Sequence, residues 1–188
     1  MSMVQSSQIL VAYSTVYGST REVAEAVAAS LRERGLAVDV QAARDVRALD
    51  GYNAVVLGTA LRIGHWYKDT GAFLTRHREA LGALPVAVFA LGPLSGPADE
   101  AGWKACRATL DREIAKTPWL KPVAVELFGG KYDPAGLNFV DKLLTRPPAS
   151  PLHGLAAADV RDFPTIRAWA SDLAAQLEPS ALQRGTDG

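Results

Sequence analysis

A three-layer α/β sandwich around a five-stranded parallel sheet is predicted by two features of this 188-residue chain. Five short runs, residues 9–13, 36–40, 54–59, 85–91 and 122–128, are apolar or alternate as strands do. Stretches with apolar residues at helical spacing lie between most of them. The third run, Ala54-Val55-Val56-Leu57-Gly58-Thr59, is apolar almost throughout, as suits a central strand covered on both faces. Strands and helices in alternation imply βαβ units with right-handed crossovers.

Each element follows from its own residues. The first strand ends in Tyr13 and leads into Ser14-Thr15-Val16-Tyr17-Gly18-Ser19-Thr20. A helix then carries Val23, Ala24, Val27 and Leu31 on one face. Ser19 and Glu22 stand at the S-x-x-E capping-box spacing, which predicts a helix start at Ser19 or Thr20. Arg34 and Gly35 supply a basic last turn and a C′ glycine. The second strand spans 36–40 and the third 54–59. A single helix over about 68–81 buries Phe73, Leu74 and Leu81. After the fourth strand, a helix over 99–116 is stopped by Pro118. The fifth strand covers 122–128, and a last helix from about Asp162 aligns Ile166, Trp169, Ala170, Leu173 and Leu177. One domain over residues 1–178 is expected, with 179–188 as a disordered tail.

The loop at 14–20 is the most informative stretch. The first N–H groups of a helix lack intrahelical partners and sit at the positive end of the macrodipole, so they can donate to a phosphate. Ser14, Thr15, Ser19 and Thr20 add hydroxyl donors, and Gly18 permits close backbone approach. Neither G-x-G-x-x-G nor G-x-x-x-x-G-K-[ST] occurs, and no lysine stands in the loop. Arg21 falls on the outer face of the helix by periodicity. The loop therefore suits a phosphomonoester better than a triphosphate. A receiver-type acidic pocket is excluded, because residues 12–15 are Ala-Tyr-Ser-Thr. An ordinary strand-to-helix turn with a Ser/Thr cap is the simpler alternative.

Composition narrows the partners. Twenty Lys and Arg balance twenty Asp and Glu, so no global field favours nucleic acid or an anionic membrane, and any such contact must be local. One cysteine rules out an internal disulfide framework and argues against an Fe–S or cysteine-based zinc site; no metal is expected. Cys106 shares a helix face with Trp103, Leu110 and Ile114, the place of a buried structural thiol. The first eight residues lack signal-peptide character and no apolar run approaches about 18 residues, so a cytoplasmic protein is expected.

Residues 11–27 resemble the phosphate-loop signature of flavodoxins, with Tyr13, Thr15, Gly18, Thr20, Ala24 and Val27 at matching positions. Ala12 departs from it, where larger residues are preferred. The resemblance implies the flavodoxin-like strand order 2-1-3-4-5, which spacing alone does not decide. It also implies that Ser14, Thr15, Val16, Tyr17, Gly18, Ser19 and Thr20 hold the ribityl phosphate of FMN. In that order the ligand lies beyond the carboxyl ends of strands one and three. The flavin ring would then be bordered by Ala60, Leu61, Arg62, Ile63, Gly64, His65 and Trp66, and by Gly92 and Pro93 of the 92–98 loop. Trp66 or His65 could stack on the ring; alternatively Trp66 and Tyr67 plug the space beneath the next helix. Arg62 could place positive charge near the N1–C2=O edge or hold an acidic substrate; alternatively it is a solvated loop charge. Residues 92–98 contain no aromatic residue, whereas many flavodoxins place a tyrosine there, so one ring face is expected to stay open to substrate.

A narrower likeness joins the phosphate loop to Gly58-Thr59-Ala60-Leu61-Arg62-Ile63-Gly64-His65 and a helix containing Phe73 and His77. This combination resembles the menaquinone-dependent protoporphyrinogen IX dehydrogenases of haem biosynthesis. It implies an FMN oxidoreductase that takes hydride equivalents from a porphyrinogen and passes electrons to a quinone, with peripheral contact at the inner face of a membrane. Arg62 and His65 are the catalytic candidates. An electron-carrying flavodoxin docking to a redox partner protein is the alternative, although such carriers are typically strongly acidic and this chain is neutral. The connection 129–160 is long for a βα loop. Within it Leu137, Val140, Leu143 and Leu144 form an amphipathic face flanked by Lys131, Lys142 and Arg146. That face could cap an apolar, carboxylate-bearing ligand or touch a membrane, but packing against the sheet is the simpler expectation.

Overall fold

The computed structural model describes residues 8–62, 64–150 and 153–177. The chain runs β1 (Gln8–Tyr13), α1 (Ser19–Glu33), β2 (Ala37–Ala42), β3 (Ala54–Arg62), β4 (His65–Trp66), α2 (Lys68–Arg76), α3 (Arg78–Ala83) and β5 (Val86–Leu91). It continues through α4 (Glu100–Ala115), β6 (Ala124–Phe128), β7 (Lys131–Tyr132), α5 (Phe139–Thr145), β8 (Ala158–Asp159) and α6 (Phe163–Leu177). The five long strands are parallel and lie side by side as β2-β1-β3-β5-β6. Because β4 is a short antiparallel return of β3, this is the expected 2-1-3-4-5 order of the five strands.

Successive residues of a strand point to opposite faces, and here both faces are covered. Ile9 and Val11 of β1, Ala54 and Val56 of β3, and Phe89 of β5 meet Val27 and Leu31 of α1 and Ile166 and Leu173 of α6. Their neighbours Leu10, Ala12, Val55, Leu57 and Val88 face Phe73 and Leu74 of α2, Leu81 of α3 and Leu110 of α4. This double burial explains why the central runs read as continuous rather than alternating. Phe89, Phe128 and Trp169 close the α1/α6 side with tilted and edge-on rings 5.5–6.1 Å apart.

Several boundaries differ from expectation for local reasons. The S-x-x-E pair forms no capping box. Gly18 occupies the N-cap at φ 87°, Ser19 is already helical, and no side chain caps the turn. Glu22 instead turns outward to Arg161 at 2.8 Å and Lys131 at 3.9 Å. The helix expected over 68–81 is two helices, broken at His77 with φ −107°, ψ 19°. Its buried ring lies 4.9 Å from that of Phe73, and Nε2 is 3.2 Å from the Val46 carbonyl, tying the break to the β2–β3 connection. The fourth and fifth strands start one or two residues after Pro85 and Pro122, which lack the N–H a ladder uses. The second strand lies slightly later than expected, and the third runs on to Arg62. The residues expected to form a tail lie outside the described ones.

The described residues of segment 129–160 form two short strands and a helix. Strands β7 and β8 pair antiparallel, and α5 sits between them in sequence, with the Asn138 side chain accepting from the Asp141 N–H at 2.8 Å. The apolar face of α5 does not pack on the sheet. Phe139, Val140, Leu143 and Leu144 are 81, 62, 54 and 60% exposed, and the residue α5 buries is Asp141.

Candidate functional site

The carboxyl ends of β1 and β3 lie side by side where the chain crosses to opposite edges of the sheet, and the loop after β1 opens there. The Ser14 N–H donates to the Gly58 carbonyl at 2.9 Å, seating the loop against β3. The Thr15 hydroxyl accepts from the Gly18 N–H at 3.0 Å, curling residues 15–18 into a tight turn that leaves Val16 and Tyr17 outside. Gly18 takes a left-handed φ that a side chain would strain, and a Cβ there would meet no atom within 4 Å. Ser14 and Thr20 are 2% and 0% exposed, yet among the described residues Ser14 Oγ and Thr20 Oγ1 are the buried side-chain oxygens without a hydrogen-bond partner.

An unsatisfied buried hydroxyl costs about 1–3 kcal/mol. Two of them flanking the start of α1, beside its free N–H groups, make a donor set suited to a phosphate oxygen cluster. A simple capped turn would have used these hydroxyls on its own backbone. The residues present therefore fit the phosphate expected from the resemblance.

The second loop is a hairpin. Its backbone is closed by the Tyr67 N–H donating to the Ala60 carbonyl at 3.0 Å, and buried Thr59 meets Thr70 of α2 through their hydroxyls at 2.7 Å. Leu61 pairs with Trp66, and both lean on the α2–α4 core cluster. Trp66 is partly buried against this cluster. Arg62 pairs with His65 across the hairpin. The His65 side chain is 65% exposed, and its Nδ1 lies 3.1 Å from Glu113 of α4. Burial raises the Glu113 pKa most strongly, but hydrogen bonds from Lys116 and His65 outweigh it and the carboxyl lies below its ordinary value. Gly64 accepts from Arg112 at 3.0 Å through its carbonyl. Ile63 lies outside the described residues.

Arg62 does not stand free. Its Nη2 is 2.6 Å from Asp141 Oδ1, while the Tyr17 hydroxyl donates to Asp141 Oδ2. The Asn138 N–H reaches the same Tyr17 oxygen at 3.4 Å. One carboxylate thus joins the phosphate loop, the β3–β4 hairpin and α5. The bonds from Tyr17 and then Arg62 hold the Asp141 carboxyl below its ordinary range, and burial followed by the bond to Asp141 pushes the Tyr17 phenol up.

At the third loop, the Gly92 N–H donates to the Phe128 carbonyl at 2.9 Å and the Gly130 N–H to Pro93 at 2.8 Å, so 92–93 is stitched to the end of β6. A Cβ on Gly92 would crowd Leu127 and Cys106. Asp99 caps α4 and accepts from the Ser95 hydroxyl at 2.5 Å, and the Trp103 indole N–H donates to Gly96 at 3.2 Å. Burial pushes the Cys106 thiol up, with the Asp99 charge adding to it, as suits a packed neutral side chain.

Sequence reasoning missed Asp141 and Arg161. Neither lies in a motif that signals its role here, and both gain partners more than 70 positions away. The Arg161 guanidinium is nearly buried between Asp159, Glu22 and the Ser19 carbonyl, and it locks β8 to the first turn of α1. The N-x-x-D spacing of Asn138 and Asp141 was the one local signal for the α5 cap. An open cleft of about 490 Å³ lined by Arg76, Arg78 and Trp119 lies near the start of β5, at the other end of the sheet from these loops.

A flavodoxin domain model matches residues 10–150. The protoporphyrinogen IX dehydrogenase (quinone) of Escherichia coli K12 is 31% identical over 84 residues, 44% of this chain, and the match spans about half of that relative's length, 46%. A Leishmania major protein of the same name is 26% identical over 178 residues, 91% of this chain and 76% of that one. Among solved structures, a flavodoxin from the domain Archaea superposes with TM-score 0.54 at 16% identity, covering 92% of this chain and 99% of the other. A Pseudomonas aeruginosa flavodoxin gives 0.54 at 20% identity, with the same coverages.

Proposed function

Because this chain belongs to the flavodoxin domain family, whose cofactor is FMN, we propose that it oxidises a porphyrinogen-like substrate and passes the electrons to a quinone. The observation that carries the cofactor assignment is the pair of orphaned buried hydroxyls, Ser14 Oγ and Thr20 Oγ1, at the start of α1. FMN, when bound, supplies two-electron and one-electron redox chemistry that no side chain provides.

The protein's own residues do the rest. Ser14, Thr15, Ser19 and Thr20, with the backbone of Val16, Tyr17 and Gly18, hold the phosphate. Ala60 through Trp66 and Gly92-Pro93 border the ring. Hairpin closure and the stitching of 92–93 to β6 fix these borders on strand ends, where backbone position is least mobile. Arg62 holds positive charge beside the ring edge, or meets a substrate carboxylate. Asp141 sets the direction of that guanidinium. The substrate assignment is supported by the names of the curated relatives and by the aromatic-free third loop, which leaves room for an apolar ring system.

Two measurements test the reading in sequence. Titration of the purified chain with FMN should perturb the flavin absorbance; no change at micromolar protein sinks the proposal. Anaerobic mixing of the FMN-loaded protein with protoporphyrinogen and a menaquinone analogue should yield protoporphyrin. Flavin binding without porphyrin formation would leave an electron carrier instead.

A further inference from the structure

Glu113 of α4 is a charged side chain that the cofactor loops leave unused, and it is almost wholly buried, with 4% of the side chain exposed. A carboxylate is kept out of water only where partners meet its charge. Lys116 Nζ, one turn further along α4, reaches Glu113 Oε1 at 2.5 Å, and His65 Nδ1 lies 3.1 Å from the same oxygen. Burial pushes the carboxyl up, but the bonds from Lys116 and His65 outweigh it and hold it below its ordinary value. At neutral pH it is therefore ionised and can only accept. The hydrogen of the second bond must then belong to His65 Nδ1, and in the neutral ring Nε2 carries a bare lone pair.

The rest of the imidazole faces out. The His65 side chain is 65% exposed, and the hairpin tip that carries it is fastened to α4 a second time, by the Arg112 guanidinium donating to the Gly64 carbonyl at 3.0 Å. Across the hairpin His65 stands opposite Arg62, and residues directly opposite on antiparallel strands share a face, with Cβ atoms about 4.5–5.5 Å apart. The charged groups around the ring are thus Arg62 on the facing strand and Arg112, Glu113 and Lys116 on α4. A staple between hairpin and helix would be served as well by a neutral amide; a buried charge also fixes which ring nitrogen is protonated.

We propose that Glu113 is a positioning residue: it holds His65 with Nδ1–H turned inward and Nε2 outward beside Arg62, where Nε2 takes the proton that leaves a porphyrinogen-like substrate on oxidation. This rests on the function proposed above, in which the 60–66 hairpin borders the flavin ring. Each two-electron oxidation breaks one bridging C–H bond of the substrate, whose hydrogen and electron pair leave together to the flavin. It also breaks one pyrrole N–H bond, whose electrons stay in the ring system while the proton goes to His65 Nε2. The carboxylate behind Nδ1 meets the charge that the imidazole gains, and the exposed ring can pass its proton on to water. Two helices thus aim two neighbours on the hairpin, α5 through Asp141 for Arg62 and α4 through Glu113 for His65.

The first test needs neither flavin nor substrate. Nitrogen-15 NMR of the full chain labelled at histidine, from about pH 6 to 9, reads which nitrogen is protonated in each neutral ring. The chain has three histidines. His77 supplies the opposite form as an internal reference, since its Nε2 lies 3.2 Å from the Val46 carbonyl, which only accepts. Loss of one signal set in His65→Gln assigns that ring. The parent should show His65 as the Nδ1–H form, and Glu113→Gln should lose that preference. An Nε2–H ring in the parent, or the same ring form in Glu113→Gln, overturns the inference. Thermal melts establish that the variants are folded, and the parent spectrum judges the ring form whatever the variants do. The second test is steady-state oxidation of protoporphyrinogen by the FMN-loaded chain with a menaquinone analogue. His65→Gln should lower kcat by about a hundredfold and Glu113→Gln by about tenfold, each with KM within about twofold of the parent. A raised KM with unchanged kcat would make the pair a staple and overturn the proton role. A parent that binds FMN but forms no porphyrin fails the function proposed above and takes the proton role with it, while the ring form still decides whether Glu113 positions His65.

Discussion

Thr20 and Asp141 show the two ways a single side chain can matter here. Thr20 sits at zero exposure with no partner for its hydroxyl, and in the proposed function that hydroxyl meets a ligand phosphate. Thr20→Val keeps the shape and removes the donor. FMN affinity should fall by about 1–2 kcal/mol, roughly tenfold, while apo stability stays level or rises slightly; fluorescence-quenching titration reads the first and a denaturant melt the second. Asp141 has two strong partners, and they depress its pKa below the ordinary 3.8. A depressed carboxyl contributes stability that is complete above its unfolded pKa and lost as pH falls through the folded one. Asp141→Asn should therefore cost about 1–2 kcal/mol at neutral pH, with the difference from the parent shrinking below about pH 4. Urea melts of both proteins across that range measure it, and a pH-independent gap would show that packing, not charge, is what Asp141 supplies.

At the level of elements, the pairing of β3 with β5 leaves no room for a side chain at Gly58. Gly58 stands opposite Phe89 in register, and a Cβ on it would land on the Phe89 ring. Phe89 is fully buried against Phe128 and Trp169, so it has little freedom to withdraw. Gly58→Ala should destabilise by about 1–3 kcal/mol through overpacking, seen as a lower urea midpoint with an unchanged slope. It should also disturb the site, because the Gly58 carbonyl seats Ser14. The helices were read correctly wherever a strong apolar period met a proline or a cap, as in α4 and α6. The reading failed at His77, whose contact with Val46 breaks one helix into two. No local propensity encodes a partner 31 residues away. The same holds for α5: its amphipathic pattern was visible, but whether that face packs or points outward depends on where Asp141 finds its counterion.

For the molecule as a whole, ligand linkage gives the broadest check. If FMN binds only the folded chain, saturation at about 100 times Kd adds roughly 2.7 kcal/mol. For a chain of this length that should raise Tm by about 5–10 °C, readable by differential scanning calorimetry with riboflavin as the phosphate-free control. Equal shifts with riboflavin would remove the phosphate loop from the account. The sequence by itself determined the alternation of strands and helices and marked the loop expected to hold a phosphate, because both rest on local chemistry: apolar runs that must be covered on two faces, and hydroxyls beside a helix start; the strand order came from the resemblance. Only the tertiary structure decided that these hydroxyls are left unpaired, that Arg62 is held by Asp141, that Arg161 is buried against α1, and that α5 turns its apolar face outward. Each of those depends on which distant groups meet, and long-range pairing is set by how the layers close on one another, not by the period of any one segment.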